Sequence, residues 1–324
     1  MQPHNKSIVM GHKYFCMVLA GLLWLSNPAS ADPLTVVVIS DLNGSYGSTD
    51  YSPRINVAIE KIIEINPDLV IATGDLVAGQ RVPRLSETNI LEMWAAFHAT
   101  VSDPLALAGI PLAVTPGNHD ASNYSGFSLE RRIFERQWLD RKPDLSFLDD
   151  TDYPFFYGFD LDGVRFVSLD ATVLGPLHGD QMDRLAALTA GNSKLEITFS
   201  HLPLWAVSQQ REREIIGDDE LAQLYTQNNV GIHLSGHHHA FYPAMSAGVA
   251  YVAQACLGGG ARRLIGDTVR STYSFTVLEI TSEGTFDVYA LHEPDFTQKI
   301  DLSTLPSHIV TPQATLTRLD LARP

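Results

Sequence analysis

Five apolar stretches of this 324-residue chain each run into a residue type that binds metal ions. Leu34 to Ser40 (LTVVVIS) leads into Asp41-Leu42-Asn43. The run ending Ile71-Ala72-Thr73 leads into Gly74-Asp75, and PLAVTP leads into Gly117-Asn118-His119-Asp120. EITFS is followed by His201, and GIHLS by Gly236-His237-His238-His239. Carboxylates, imidazoles and amide oxygens are the donors that hard and borderline dications take. Each has a bland reading by itself. Asp41 is a turn cap, Asp75 a turn residue, His201 a satisfied buried histidine, and the three histidines a solvated run. Five such strand ends in succession are hard to obtain from packing alone. His237 and His239 follow an apolar strand and a glycine, so both can turn to one point where the chain bends.

The elements that must position these residues alternate. Leu34 to Ser40 is apolar on both faces, as a buried strand is. Ser52-Pro53 opens a helix carrying Ile55, Ile59, Ile62 and Ile63, and Pro67 stops it. Asp68 to Thr73 and Pro111 to Thr115 read as strands. Ser86 to Ser102 reads as a helix with Leu91, Trp94, Ala95 and His98 on one face. Residues 121–160 read as an insertion or partial lid. Strands follow at Val164 to Leu169, Leu195 to Phe199, Val230 to Leu234 and Val249 to Ala255, with a helix at Asp180 to Ala190. Tyr273 to Ile280 and Thr285 to Leu291 flank a Ser-Glu-Gly turn and suggest a hairpin. Strands alternating with amphipathic helices argue an α/β fold, whose sites gather beyond the carboxyl ends of strands. The tail after about residue 300 is weakly patterned.

Hydrophobic residues at 45% and charged residues at 18% suffice for a sizeable core. A net charge of −15 argues against a non-specific nucleic-acid binder. It leaves a small anionic substrate open, since a bound dication reverses the local field. Residues 1–31 read as a secretory signal: Lys6 and Lys13, the apolar run Phe15 to Leu25, then Ala29-Ser30-Ala31 before Asp32. The expected location is periplasmic or secreted, with no stable membrane anchor. Cleavage would remove Cys16 and leave Cys256 alone, with no intrachain disulfide. Cys256 reads as a buried small hydrophobe.

The order D-x-N, G-D, G-N-H-D, a lone His and G-H-x-H resembles the calcineurin-like metallophosphoesterase superfamily over residues 34 to 260. The resemblance implies a four-layer α/β/β/α sandwich of two mixed β-sheets spanning residues 32–300, with residues 301–324 as a tail. It implies two divalent metal ions, Mn, Fe, Zn or Mg. Asp41 and His239 would hold the first, Asn118, His201 and His237 the second, and Asp75 would bridge them. Asn43 stands where the family pattern has His, a neutral and weaker donor in its place. His119 would act on the leaving oxygen as an acid or stabilise phosphoryl charge. The implied reaction is hydrolysis of a small phosphomonoester or phosphodiester by a metal-bridging hydroxide. A non-catalytic metal- or phosphate-binding protein on the same fold is the rival, with Asn43 as its support. Leu76-Val77-Ala78-Gly79 lacks the tyrosine that the purple acid phosphatase branch needs there.

Weaker features surround these motifs. Arg54, Arg81, Arg84 and Tyr46 follow strand ends but read as solvated loop residues before phosphate ligands. Gly258-Gly259-Gly260 reads as a flexible turn rather than an anion nest. Asp120 would orient His119 or cap the following segment, His178 reads as surface and His98 as core. The site is expected at the strand carboxyl ends, framed by residues 76–110 and 121–160.

Overall fold

The computed structural model describes Met1, residues 32–191 and residues 193–322. The expected targeting segment, with Cys16, lies outside the described residues. Along the chain the elements are β1 (Leu34–Ile39), α1 (Pro53–Ile65), β2 (Leu69–Ala72), α2 (Glu87–Phe97), α3 (Asp103–Leu107) and β3 (Leu112–Val114). Then come α4 (Asn118–Ala121), α5 (Ser128–Leu139), β4 (Ser146–Asp152), β5 (Phe156–Leu161), β6 (Val164–Ser168), α6 (Gln181–Thr189) and β7 (Leu195–Ser200). The last part holds α7 (Asp219–Gln227), β8 (Ile232–Ser235), β9 (Tyr242–Ser246), β10 (Val249–Ala253), β11 (Ser274–Ile280) and β12 (Phe286–His292). It closes with β13 (Gln298–Lys299), β14 (His308–Val310), β15 (Thr315–Arg318) and α8 (Leu319–Ala322).

Among the described residues the strands form two sheets, ordered β13-β12-β11-β1-β2-β3 and β14-β15-β9-β10-β8-β7-β6-β5-β4. Both are mixed. β1, β2 and β3 run parallel in the first, and β6, β7, β8 and β10 in the second, with antiparallel strands outside. The period of two places each side chain of the second sheet. Leu195, Ile197 and Phe199 of β7 and Ile232 and Leu234 of β8 join the core shared with β1, β2 and β3. The opposite face of this sheet meets α6 and α7 through Val167, Leu185, Leu221 and Tyr225. Strands β1 and β2 are buried from end to end apart from Thr35, since helices cover the face turned away from the other sheet.

Several sequence expectations need correction. Ser86 caps α2 by accepting from the Asn89 N–H (3.2 Å), but the helix does not stop at Ser102. It passes through a π-helical turn at His98–Ser102 into α3. The buried stripe of α2 is Ile90, Met93, Trp94 and Phe97, while Leu91 and Ala95 face outward. Choosing Leu91 rotated the apolar face by one residue, about 100° on a helix. Residues 121–160 are no lid: they form α5, whose Trp138 packs edge-on against Trp94, and strands β4 and β5, with β4 at the edge of the second sheet. The stretch after residue 300 is no loose tail, because β15 pairs with β9 and β14 with β15. Helix α7 and strand β9 were not anticipated. Among the described residues no helix is long and apolar enough to cross a membrane.

On the helix-facing side of β7 and β8 a polar cluster interrupts the apolar pattern. His233 Nδ1 lies 2.9 Å from Thr198 Oγ1 and 3.1 Å from the Tyr225 hydroxyl, and Nε2 lies 3.3 Å from Ser200 Oγ. Burial lowers the His233 pKa to about 3. An unfolded histidine titrates near 6.5. Between these values the unfolded chain holds the extra proton, so stability falls as pH drops from about 6.5 to about 3. Urea midpoints across that window should fall in the wild type, and His233→Gln should flatten the slope; an unchanged slope would exclude His233 as a source.

Candidate metal centre

The site sits where the carboxyl ends of β1, β2 and β3 meet those of β7 and β8. Its ligand-type residues share an uncommon backbone conformation. Asp41, Asp75, His237 and His239 have φ of 52°, 55°, 63° and 49°. Asp and His enter the left-handed region more readily than most non-glycine residues, and such positions gather at functional sites. Each reverses the chain just past a strand and aims its side chain inward. The bends are tied together, since the Asp41 N–H donates to the Gly74 carbonyl (3.1 Å) and the Leu42 and Asn43 N–H groups to the Asp75 carbonyl (3.0 and 3.1 Å).

Asp75 is the hub. Its Oδ1 accepts from the His119 N–H (2.8 Å), and its Oδ2 lies 3.2 Å from His201 Nε2. Asn118 Oδ1 lies 2.9 Å, and His237 Nδ1 3.2 Å, from that same His201 nitrogen. Donor atoms of Asp75, His201 and His237 all lie within 4.8 Å of one another. Beside this group, Asp41 Oδ1 lies 2.9 Å from His239 Nε2 yet takes no well-directed hydrogen bond. Its Oδ2 accepts from Ser40 Oγ (2.6 Å) and the His237 N–H (3.0 Å).

Every imidazole here is fixed by its far nitrogen. His201 Nδ1 contacts the Thr73 carbonyl (2.8 Å), His239 Nδ1 the Gly260 carbonyl (3.0 Å), and His237 Nε2 the Glu214 carboxylate (2.9 Å). Carbonyls and carboxylates only accept, so each far nitrogen keeps its proton, and the inward nitrogen is the one that offers a lone pair when a metal displaces any proton on it. Metal-binding histidines are oriented in this way. Burial would lower the His201 pKa, but Asp75 beside it holds it at about 9; His239 is likewise held at about 10 by Asp41. Burial would raise Asp41, and His239 pulls it down to about 2. Burial opposes the Asp75 charge as well, and His201 and His119 keep its pKa well below the carboxylate range. Buried carboxylates and imidazoles thus neutralise one another at a spot rich in inward-facing donors. An orphaned buried oxygen and imidazoles oriented with one nitrogen inward fit divalent metal.

All seven expected ligands lie at this junction. Asn43 is 8% exposed and is held there by its backbone bond to Asp75. His119 donates from Nδ1 to the Gly79 carbonyl (3.0 Å), and its Nε2 lies 3.8 Å from Asp75 Oδ2. His238, between two inward histidines, is buried structure: Nδ1 accepts from the Val207 and Ser208 N–H groups (3.1 and 3.2 Å). Asp120 caps the loop after Asp75, taking the Leu76 and Val77 N–H groups (2.7 and 2.9 Å). Burial and then the Asp75 charge push its pKa up to about 8. The Gly258 and Gly259 N–H groups both donate to the Asp41 carbonyl (2.9 and 3.2 Å), so this turn is neither loose nor an anion nest. A Cβ on Gly258 would sit 1.8 Å from the Leu42 carbonyl oxygen, which explains the glycine.

Of the outlying residues, Arg54 pairs with Glu293 (3.1 Å) and covers the Tyr273 ring, away from the cluster. Arg84 lies over Phe127 at 6.0 Å. The Tyr46 ring is at the site, 5.2 Å from the His119 ring. His98 is buried against Ser102 and Gln137, His178 is exposed, and Cys256 is buried. Sequence reasoning missed Glu214 and Gln80, whose Oε1 accepts from Asn118 Nδ2 (2.7 Å). Both sit in loops with no periodic signal, and only the structure reveals what they hold.

The profile of the calcineurin-like phosphoesterase family matches residues 34–241. The chain belongs to the calcineurin-like phosphoesterase family. It is 25% identical over 214 residues to a probable cyclic nucleotide phosphodiesterase of Rhodococcus erythropolis, which covers 63% of this chain and 62% of that one. The match thus spans less than two thirds of that relative's length. The fold resembles a purple acid phosphatase from yellow lupin (Lupinus luteus) seeds, with a TM-score of 0.60 at 16% identity, covering 80% of this chain and 51% of that one. It also resembles a dimetal phosphatase from Danio rerio, with a TM-score of 0.56 at 14% identity, covering 89% and 100%. These two likenesses concern the fold alone.

Glu214 gives the site a direct test. Glu214→Ala removes the acceptor that sets the His237 tautomer, and should weaken divalent-metal affinity by roughly 10- to 100-fold. Calorimetric titration with Mn²⁺ measures this; unchanged affinity would mean that Glu214 does not orient a ligand.

Proposed function

We propose that this chain is an exported, metal-dependent phosphodiester hydrolase. The observation that carries the reading is the convergence of Asp75, His201 and His237 within 4.8 Å, with His119 held beside them. Asp75, Asn118, His201 and His237 would hold one dication, and Asp41, His239 and Asp75 a second, with Asn43 at its rim. When bound, such ions supply Lewis-acid charge at the phosphoryl oxygens and a more acidic water.

The chain's own residues do the rest. Asp75 and Asp41 provide the negative charge that retains cations in a buried place. The Thr73, Gly260 and Glu214 acceptors hold three imidazoles in fixed orientation, so little is reorganised when substrate arrives. The Gly79 carbonyl keeps a proton on His119 Nδ1 and leaves Nε2 to carry or receive the moving proton. His119 Nε2, 3.8 Å from Asp75 Oδ2, is the atom placed to donate to the leaving oxygen. The Tyr46 ring lies beside that imidazole, 5.2 Å from its centre.

A diester is favoured over a monoester by the name of the Rhodococcus relative. Export rests on Lys6, Lys13, the Phe15 to Leu25 run and Ala29-Ser30-Ala31. One experiment tests both parts. Protein recovered from the exported fraction should begin at Asp32 and hydrolyse bis(p-nitrophenyl) phosphate faster than p-nitrophenyl phosphate, with Mn²⁺ and not with chelator. His119→Asn should lower kcat by roughly 10²- to 10⁴-fold while metal content stays constant. A faster monoester reaction would reverse the diester assignment. No turnover with any divalent metal would favour a binding protein.

A further inference from the structure

Next to the metal centre lies a cleft of about 410 Å³ lined by Arg211, Arg262, Arg263 and Arg270. Such a concentration of positive charge is unexpected on a chain of net charge −15. The cleft adjoins the site through two contacts. Arg262 donates from Nη1 to the His237 carbonyl, and Gly260, which lines the cleft, accepts from His239.

The arginines are held but not neutralised. Arg211 pairs with Glu214, whose other oxygen is on His237. Among the described residues, Arg262, Arg263 and Arg270 have no carboxylate partner. Arg263 Nε donates to the Thr268 carbonyl (2.9 Å) and Arg270 Nη1 to the Ala261 carbonyl (2.6 Å). Arg263 and Arg270 also face each other across an antiparallel bridge. Like charges opposed on a bridge destabilise it. Backbone carbonyls fix one edge of each guanidinium and leave other N–H groups free. This is the preparation that a phosphate or carboxylate needs, since a fork held in place gives up little entropy on binding.

We propose that this cleft is a subsite for a second anionic group on the substrate. The scissile phosphoryl group sits at Asp75, His201 and His237, and a separate phosphate or carboxylate of the same molecule sits between Arg263 and Arg270. The substrate class is then a phosphodiester that bears a further anion beyond the ester link. This rests on the hydrolase reading for the scissile group and adds the identity of the neighbouring group.

The test uses a matched pair and a separate binding readout. The pair is thymidine 5′-(p-nitrophenyl phosphate) with and without a 3′-phosphate. The wild type should show a KM roughly tenfold or more lower for the 3′-phosphorylated ester. Arg263→Ala with Arg270→Ala should erase that difference and leave kcat on the plain ester unchanged. Both side chains are exposed, so the variant should fold. In parallel, the full chain in chelator is titrated with inorganic pyrophosphate by calorimetry, where the double variant should bind at least several-fold more weakly. If neither ester turns over, the hydrolase reading fails and the titration alone decides the subsite. Equal discrimination by variant and wild type, or equal pyrophosphate affinity, overturns the proposal. Loss of pyrophosphate affinity with no KM difference in the wild type would assign the cleft to a free anion and likewise overturn it.

Discussion

The structure depends on keeping one carboxylate, Asp75, ionised at 2% exposure between two sheets. An isolated buried carboxylate costs several kcal/mol even after relaxation. Here the cost is met by a directed set of partners: the His119 N–H, His201 Nε2 and the positive charge that the neighbouring imidazole shares with it. Asp75 itself follows β2, and those partners come from the β3 end and the β7 end, so stabilising the charge requires both sheets to present their carboxyl ends to one point. The left-handed bends at Asp41, Asp75, His237 and His239 follow from the same demand. A strand that simply continued would carry its carboxylate past the junction.

The two halves of the centre are not equivalent. One joins Asp75, Asn118, His201 and His237, and each imidazole is oriented from behind. The other has Asp41 and His239, with Asn43 where the family pattern has a histidine. An amide oxygen is a harder and weaker donor than an imidazole nitrogen. In the proposed two-metal reading the half containing His201 and His237 would therefore be the tighter position. In that reading the other would favour oxygen-preferring ions such as Mn²⁺ or Mg²⁺. Asp120 and His238 belong to neither half, although both sit inside the motifs, because each is occupied with backbone N–H groups.

Much of this was legible in the sequence. Buried parallel strands are continuous apolar runs, and each run ended in a ligand type, so β1, β2, β3, β7 and β8 and their terminal residues stood out together. Legibility failed where the signal was not periodic. Glu214 and Gln80 act from loops, and their roles exist only once His237 and Asn118 are in place. The arginine cleft is spread over residues 211 to 270 and has no local pattern. Residues 121–160 looked irregular because α5 turns its apolar side to α2 while β4 is a largely exposed edge strand. The final strands were hidden because short edge strands carry few apolar residues.

The account stands on one geometric claim, that a dication sits among Asp75, His201 and His237. Anomalous X-ray scattering from crystals grown with Mn²⁺ tests it without reference to turnover. The account predicts a peak within coordination distance of Asp75 Oδ2, His201 Nε2 and His237 Nδ1, with Asn118 Oδ1 alongside. A crystal saturated with Mn²⁺ that shows no peak there, or shows those imidazoles turned away, would contradict it.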